Sequence, residues 1–538
     1  MLKKIIKYFK FQKFIQAQKN DAVNNTPYIE KDIPLSESVD GNLAVLKSYL
    51  GKSDDIIFRE FYFGINTKTK ALISFVDGLG DKKLIIDDVL KSLTVDMHIT
   101  DPKGKISDDH NNFQDLKNHI LNIVEAKEIK NINETLEAIL SGDSILLING
   151  SNTGLAVSSK GGEKRSIVEP ETEVVVRGSR EAFVETLRVN TSLLRRIIKN
   201  PNLTFETLIV GKQTHTDICI AYIDTLANMK VVDEVRRRIS RIDIDAILES
   251  GYIEQLIDDN PLSPFSTIGN SERPDKVAAK LLEGRVAILC NGTPIVLTIP
   301  YTFTESVQVP EDYYSRPFLT NVIRLLRIIA FMLTLILPAI YIALTTFHQE
   351  MLPTVLIITF AAAREGIPFP VLLETMIAET IFQLIRESGI RMPRAVGGAV
   401  NIVGTLVIGE AAVNAGIIGA PMVIIVALSG ITSFILPSVY DAVFIFKLLL
   451  IFLSSAFGLY GIMVGLLCML AHMCSLRSFG TPYMSPFAPV IWSDMKDSIF
   501  RVPLWLLKTR PKGVIWKDSE RQSENKPQTP AKKGGRQS

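Results

Sequence analysis

The sequence predicts a multidomain membrane protein, with two N-terminal cytoplasmic α/β domains followed by a polytopic α-helical membrane domain. Two observations support this fold class. Residues 318–476 consist of long apolar runs, whereas the preceding chain alternates short strand-like and helix-like patterns. The apolar run 328–347 holds about 20 uncharged residues, which at about 1.5 Å per residue is enough to cross a hydrocarbon core of about 30 Å.

Residues 1–40 are predicted to form a basic N-terminal arm and a linker. Residues 1–20 carry only basic charges between apolar side chains, which suits either a helix on an anionic cytoplasmic leaflet or a disordered arm. No long apolar core follows them, so we expect no secretory signal peptide. Residues 21–40 contain the Asn, Thr, Pro and Ser residues that are typical of a linker.

Residues 41–160 are predicted to form the first cytoplasmic α/β subdomain. The alternation of strand-like and helix-like patterns favours a small packed domain. Asn149 and Gly150 lie between two apolar runs and predict a tight hairpin. The other predicted elements are strands at 56–63 and 71–77 and helices at 85–93 and 113–125.

Residues 161–310 are predicted to form a second cytoplasmic α/β subdomain. Asn291 and Gly292 again predict a hairpin between two apolar strands. No Ser-His-Asp, Cys-His or clustered carboxylate arrangement stands out, so we expect no catalytic residues, no metal ligands and no cofactor. The other predicted elements are helices at 181–199 and 231–239 and strands at 206–211 and 217–223.

Long motifs from residue 167 to residue 486 resemble one protein family, the A subunits of nutrient germinant receptors of endospore-forming bacteria, of the GerA type. The chain departs from the family pattern at Ser179, where the family has a proline, and its first 160 residues match only loosely. The motifs that carry the resemblance are VVVRGSREAFVETLRVNTSLLRR at 174–196, SERPDKVAAKLLEGRVAIL at 271–289, REGIPFP at 364–370, ESGIRMPRAVGGAVNIVGTLVIGEAAV at 387–413 and SFGTPYMSP at 478–486.

The resemblance implies a receptor component of the spore inner membrane. The implied partners are a transporter-like, ligand-binding B subunit, a lipoprotein C subunit and membrane lipid, with no nucleic acid. The A subunit of such a receptor is expected to form a homo-oligomer, a pentamer, that acts as a ligand-gated channel. Its opening would release monovalent cations and start germination.

Charge patterning predicts that both chain ends are cytoplasmic. Arg316, Arg324 and Arg327 flank the entry to the first apolar run, and the loop after that run has no Lys or Arg. Residues 477–538 are rich in Lys, Arg, Gln, Pro and Ser, which predicts a basic and mostly disordered tail.

An even number of membrane crossings is required if both ends lie on one side. The apolar runs of residues 318–476 suggest five crossings when 351–386 is counted as one broken crossing. Either one segment is therefore re-entrant, or residues 443–476 reverse direction at their Gly458, Gly461 and Gly465 series.

Two glutamates in an otherwise apolar run are candidates for intramembrane charge pairing. Glu374 and Glu379 are about 140° apart around a helix, so the segment is expected to be amphipathic and partly interfacial, with at most one glutamate reaching a basic partner. The alternative is two carboxylates that face the headgroup layer. The candidate basic partners are Arg364, Arg386 and Arg391.

Residues 395–413 are predicted to line the ion path. Their small and polar side chains fall on one helical stripe, which in a symmetric ring would form polar collars with an apolar constriction at Ile408. Close helix packing through small residues is the alternative. The pore-lining candidates are Gly397, Asn401, Gly404, Thr405 and Ile408, with Glu410 near the mouth.

Two other function classes remain open from the residues alone. A secondary transporter would carry similar broken helices near the bilayer midplane, although such proteins usually show two matching halves. A membrane-anchored signalling scaffold would explain the large cytoplasmic part but leaves Asn401 and Glu410 without a role.

Overall fold

The computed structural model describes residues 33–63, 69–86, 126–161, 170, 173, 175–391, 407, 409–514 and 520–522. The chain forms two compact units. The first comprises Met1–Asp259, Ile268–Pro300 and Leu507–Ser538, and is called the N-terminal unit. The second comprises Asn260–Thr267 and Tyr301–Leu506, and is called the helical unit.

The first sheet of the N-terminal unit has five strands in the order β1-β2-β4-β5-β3, and every neighbouring pair is antiparallel. Helix α1 precedes β1, and α3 connects β3 to β4. The elements are α1 (Val39–Leu50), β1 (Ile56–Phe63), β2 (Thr69–Val76), the short α2 (Lys82–Leu84), β3 (Ala126–Ile129), α3 (Ile132–Leu140), β4 (Ser144–Ile148) and β5 (Gly154–Val157).

The second sheet repeats this plan with the order β6-β7-β9-β10-β8, again antiparallel throughout. Helix α4 precedes β6, and α7 connects β8 to β9. The elements are α4 (Leu187–Ile197), β6 (Leu203–Val210), β7 (Thr216–Ile223), α5 (Met229–Ile239), α6 (Ser250–Ile257), β8 (Gly269–Ser271), α7 (Pro274–Leu282), β9 (Val286–Cys290) and β10 (Val296–Ile299).

Equivalent asparagines brace the start of α1 and of α4. The Asn42 amide accepts a hydrogen bond from the Ser36 backbone N at 2.8 Å and donates one to the Ser36 carbonyl at 2.7 Å. Asn190 makes the same pair with Val184, at 2.8 Å and 2.6 Å. Thr186, the residue before α4, has an extended backbone, so the helix predicted at 181–199 begins at Leu187 instead.

The two Asn-Gly hairpins are equivalent as well. Asn149 accepts a hydrogen bond from the backbone N of Val39 at 3.3 Å, and Asn291 accepts one from that of Leu187 at 3.1 Å. Gly150 and Gly292 both have φ above +90°, which a glycine adopts without strain. Shared strand order and shared contacts show that the N-terminal unit contains two copies of one module.

The prediction of two N-terminal domains that mix helices and strands is correct. Both sheets are antiparallel, whereas alternating strands and helices usually build parallel sheets. The two Asn-Gly hairpins and the predicted strands between residues 56 and 77 and between 206 and 223 are confirmed. The helices predicted at 85–93 and 113–125 lie outside the described residues, apart from positions 85 and 86.

A buried ion pair joins the two modules inside the N-terminal unit. Arg195 at the end of α4 donates to both carboxylate oxygens of Asp55, at 3.0 Å and 2.9 Å, and its side chain is 0% exposed. Ser53 donates to Asp55 at 2.5 Å and accepts from Arg195 at 3.1 Å. Of the turn that precedes Asp55, Gly51 and Lys52 are exposed, whereas Ser53 is buried and takes part in this contact between the modules.

The helical unit is built on the 30-residue helix α10, which packs against α13 and α14. Two helices among the described residues are long and apolar enough to cross a membrane, Pro317–Thr346 and Pro437–Ser475. Apolar helices α11 and α13 are shorter. The elements are α8 (Phe303–Val307), α9 (Glu311–Tyr314), α10 (Pro317–Thr346), α11 (Thr354–Arg364), α12 (Val371–Arg391), α13 (Ala420–Ser433) and α14 (Tyr440–Ser475).

Helix α14 reverses direction at Gly458, whose φ of 60° and ψ of −140° lie outside the helical region. A Cβ placed on Gly465 would lie 2.5 Å from the Leu450 side chain. In a continuous helix these residues would be about 22 Å apart, so the two arms must run side by side. The sequence left open either a re-entrant segment or a reversal of residues 443–476, and the structure contains the reversal.

Residues 477–506 are folded, so the prediction of a mostly disordered tail from residue 477 is wrong over this part. β11 (Arg477–Ser478) pairs with β12 (Thr481–Pro482), and Tyr483 is 1% exposed in the core of the helical unit. The basic composition that suggested disorder begins only near residue 508. Burial of Phe479 and Tyr483 stabilises the first part of this segment, and hydrogen bonds to Asn321 and Arg324 hold its later part.

Candidate functional site

Helix α12 carries two buried glutamates in an apolar surrounding. Its buried residues are Val371, Glu374, Thr375, Ala378 and Glu379, which form one broad stripe along the helix. Glu374 is 0% exposed and Glu379 is 3% exposed. The stripe is wide enough to bury both carboxylates, whereas the sequence analysis expected an amphipathic helix with at most one glutamate reaching a basic partner.

Glu379 is paired with Lys447 of α14. The Lys447 Nζ donates to the Glu379 Oε2 at 2.6 Å, and both side chains are at most 5% exposed. The other oxygen of Glu379, Oε1, is buried without a hydrogen-bond partner among the described residues. Two opposite charges thus neutralise one another between α12 and α14, with one acceptor unsatisfied.

Glu374 contacts a helix start and a more distant cation. Its Oε1 accepts a hydrogen bond of 2.9 Å from the backbone N of Gly419, the residue that precedes α13. Its Oε2 lies 3.6 Å from the Nε of Arg364, which is too far for a hydrogen bond. The positive end of the α13 dipole favours this carboxylate.

Arg386 lies between two aromatic rings. Its guanidinium carbon is 3.2 Å from the ring centre of Tyr440 and 5.4 Å from that of Phe434. The Tyr440 hydroxyl donates to Gln383 at 2.6 Å. The arrangement is a cation–π contact, which stabilises a cation in an apolar surrounding.

Of the remaining predicted site residues, the structure describes Arg391 and Glu410, and neither belongs to these pairs. Arg391 is exposed and pairs with Glu387 on its own helix at 2.6 Å. Glu410 is exposed as well. The pore-lining candidates Gly397, Asn401, Gly404, Thr405 and Ile408 lie outside the described residues.

A second buried charge cluster lies at the start of α10. Asp312 accepts from Arg324 at 2.8 Å and from Arg327 at 2.8 Å and 2.9 Å. Arg324 also donates to Asp497 at 3.0 Å, and Arg501 donates to the Asp312 carbonyl. Arg324 and Arg327 are thus both paired with carboxylates inside the helical unit.

The N-terminal unit contains a cavity of about 470 Å³ beside β3 and α3. Charged side chains of both signs line it, including Lys127, Glu134, Glu137, Asp143 and Lys160. Sites for small molecules are mostly apolar with few polar groups, so this lining does not resemble one. Across the part of the chain that the structure describes, no three His, Cys, Asp or Glu side chains are grouped to hold a metal ion.

Lys447 is the functional candidate that the sequence analysis missed. It is the only lysine or arginine in the run 443–476, and a lone cation in an apolar run is costly unless it is paired. That signal was available in the sequence. Its partner was not, because Glu379 lies 68 residues away and only tertiary packing joins them.

Comparison with known proteins identifies the family. The family model described as Bacillus/Clostridium GerA spore germination protein matches residues 44–513. Spore germination protein KA of Bacillus subtilis is 42% identical over 508 residues, covering 94% of this chain and 92% of the relative. Spore germination protein GerLA of Bacillus cereus is 38% identical over 477 residues, covering 88% and 95%.

Among solved structures, the N-terminal domain of the A subunit of the Bacillus megaterium spore germinant receptor GerK3 is 37% identical, with a TM-score of 0.41. The match covers 51% of this chain and 99% of the solved domain. The sequence relatives and the two membrane-capable helices indicate a membrane location and a role in spore germination. Since the family model and both relatives match most of its length, this chain belongs to the GerA family of spore germination proteins.

Proposed function

We propose that this chain is the A subunit of a nutrient germinant receptor in the spore inner membrane. It acts together with a transporter-like, ligand-binding B subunit and a lipoprotein C subunit. Family membership over residues 44–513 supports the role in germination. Both chain ends lie in the cytoplasm in this proposal, and the helical unit is polytopic.

The proposed activity is that of a ligand-gated channel, formed by a homo-oligomer of the chain, a pentamer, that releases monovalent cations. The observation that favours transport over simple anchoring is the pair of buried glutamates on α12. Ionisable side chains at membrane depth are costly and mark ion or proton paths. A tether would need neither Glu379 nor Lys447.

In the proposed channel the helix around residues 395–413 lines the pore. Gly397, Asn401, Gly404 and Thr405 form the polar stripe and Ile408 forms the apolar gate. Glu410 favours cations at the mouth. The buried pair of Glu379 with Lys447 joins α12 to α14.

A secondary transporter is the second candidate. Helix α11 has 11 residues and α13 has 14, and both are too short to cross about 30 Å of hydrocarbon. Short or broken helices are typical of transporter binding sites. The start of α13, where Gly419 donates to Glu374, resembles such a helix terminus.

The mass of the purified complex and ion flux in liposomes distinguish the two candidates. A ring of identical chains that passes monovalent cations down their gradient after nutrient addition, in the presence of the B and C subunits, supports a channel. A stable monomer that exchanges solute with fixed stoichiometry contradicts the channel and supports a transporter.

The role in germination is tested in spores. Deletion of the gene should abolish the response to at least one nutrient and leave intact the response to a chemical trigger that bypasses receptors. Restoration by the wild-type gene is the control. An unchanged response to every nutrient, in a strain with no second receptor for that nutrient, would contradict the proposal.

A further inference from the structure

All three tryptophans of the chain lie in its C-terminal part, at positions 492, 505 and 516. None lies in the apolar runs between residues 318 and 476. Tryptophan is enriched where a bilayer meets water, because its ring is apolar and its N–H is polar. Trp492 and Trp505 belong to a described segment, residues 490–506, which we call the C-terminal strap.

The C-terminal strap exposes large apolar side chains. Trp492 is 83% exposed, Phe500 is 57% exposed and Trp505 is 42% exposed. A soluble surface rarely concentrates such side chains, and where it does, the patch binds a partner or a membrane. Val490, Leu504 and Leu506 of the strap are also exposed.

The strap is tied to the first turns of α10 by hydrogen bonds. The Asn321 side chain accepts from the backbone N of Arg501 at 2.7 Å and donates to its carbonyl at 3.2 Å. Arg324 donates to the Asp497 carboxylate at 3.0 Å. Phe500 is therefore next to a fixed residue, and Trp505 lies within about 14 Å of Arg501 because four residues span no more.

The hydrogen bonds between the strap and α10 lie near the start of α10, at a depth that corresponds to the headgroup layer. Helix α10 is about 45 Å long, which matches a hydrocarbon core of about 30 Å together with both headgroup layers. Asn321 belongs to its second turn. The same part of α10 exposes Phe318 at 87% and Val322 at 56%, so the apolar surface of the span continues beside the strap.

We propose that the C-terminal strap is an interfacial membrane anchor. Trp492, Phe500 and Trp505 lie in the headgroup layer of the leaflet that surrounds the start of α10, where their rings contact lipid. The strap thereby fixes the depth of α10, and the Asp497 and Arg501 contacts transmit that position to the helix. The inference rests on the membrane location of the helical unit and does not depend on channel activity.

Lipid is the favoured occupant because the strap adjoins exposed apolar residues of a membrane-capable helix. A protein partner or a second copy of the chain would also cover aromatic side chains. The two cases differ in one observable, since only lipid contact allows a quencher carried by an acyl chain to reach the indole rings.

Tryptophan fluorescence of the full chain in phosphatidylglycerol vesicles tests the proposal. The double variant Trp505→Phe with Trp516→Phe leaves Trp492 as the reporter, and Trp492→Phe with Trp516→Phe leaves Trp505. Lipids brominated near the headgroup end or near the methyl end of the acyl chain report depth, and aqueous iodide reports exposure to water. Tyr62→Trp in a chain without the native tryptophans is the control, because Tyr62 is 57% exposed on the first sheet.

At both positions we expect blue-shifted emission, greater loss of emission with bromine near the headgroup than near the methyl end, and little loss with iodide. The Tyr62→Trp control should show the reverse, with loss by iodide alone. Iodide quenching without bromolipid quenching at either position would overturn the proposal in favour of water exposure. Protection from both quenchers would overturn it in favour of a protein partner, and stronger quenching by deep bromine would overturn the interfacial depth.

Discussion

At the residue scale, two ion pairs of this chain are almost completely buried. Asp55 accepts two hydrogen bonds from Arg195 at a point where neither side chain is more than 1% exposed. Glu379 and Lys447 form a comparable pair in the helical unit. Such pairs contribute little net stability relative to apolar residues, but removing one partner leaves a buried lone charge.

Substitution of Arg195 by Met should therefore destabilise the N-terminal unit by about 3–5 kcal/mol, because Asp55 loses its cation while remaining buried. The measurement is thermal unfolding of the purified protein in detergent, followed by circular dichroism. Lys52→Met is the matched control, since it breaks the pair with Asp224 in which Lys52 is 70% exposed. That control should cost about 1 kcal/mol or less. Equal losses for the two variants would contradict the structural role of the buried pair.

Charge exchange tests the pair in the helical unit. Glu379→Lys or Lys447→Glu alone should reduce the thermal stability of the protein in detergent, because each places two like charges in contact. The combined exchange should recover part of the loss, since opposite charges face one another again. Stability that falls additively in the double variant would show that the two side chains are not coupled.

At the element scale, glycines determine where helices can reverse and approach. Gly458 adopts backbone angles that disfavour any residue with a Cβ, and a Cβ there would lie 2.7 Å from the His348 ring. Gly461 and Gly465 let the returning arm pack against the outgoing one. The series therefore encodes a helical hairpin, whereas composition alone suggests one long span.

Substitution of Gly458 by Ala should destabilise the helical unit by about 1–3 kcal/mol, through backbone strain together with the steric conflict at His348. Gly366→Ala is the control, because a Cβ at that position meets nothing within 4 Å. Melting temperatures of the purified variants in detergent provide the measurement. A Gly458→Ala variant as stable as the control would mean that the chain does not reverse at this residue.

The proposed pore helix is tested by its apolar gate. Replacing Ile408 by Ala should lower the barrier to hydration and give cation leak without nutrient, whereas Leu406→Ala on the opposite face should mainly perturb packing. Conductance of reconstituted oligomers before nutrient addition is the measurement. Equal conductance in the two variants, or none in either, would remove this helix from the pore.

At the scale of the whole molecule, the orientation in the membrane decides which compartment each unit contacts. The native thiols of the N-terminal unit cannot report it, because Cys219 and Cys290 are each 1% exposed. Burial, and then the charge of Glu249, raises the pKa of Cys290 to about 12, so little thiolate forms near neutral pH. We therefore expect Cys219 and Cys290 to be unreactive toward an impermeant thiol reagent in either orientation.

An engineered thiol resolves the orientation. In a chain whose native cysteines are replaced by serine, Lys52→Cys should react with an impermeant thiol reagent only after the membrane is opened, because the N-terminal unit is proposed to be cytoplasmic. Glu350→Cys in the exposed loop after α10 should react in intact cells if α10 crosses the membrane once. Labelling of position 52 in intact cells would refute the cytoplasmic assignment.

The sequence by itself determined the division into a soluble part and an apolar part, several strands and the Asn-Gly hairpins. These features follow from local periodicity and from backbone preferences of a few adjacent residues. The motifs of residues 167–486 also determined the family. Residues 149–150 and 291–292 even carried the signal of a duplication, since both Asn-Gly pairs follow an apolar strand.

Only the tertiary structure decided the strand order, the partner of each buried charge and the reversal at Gly458. Glu379 meets Lys447 across 68 residues, and Asp55 meets Arg195 across 140 residues. Local periodicity carries no information about such distant contacts, because they depend on which faces pack together after burial of the apolar surface. The folded strap at residues 490–506 was missed for the same reason, since its order comes from Asn321 and Arg324 rather than from its own composition.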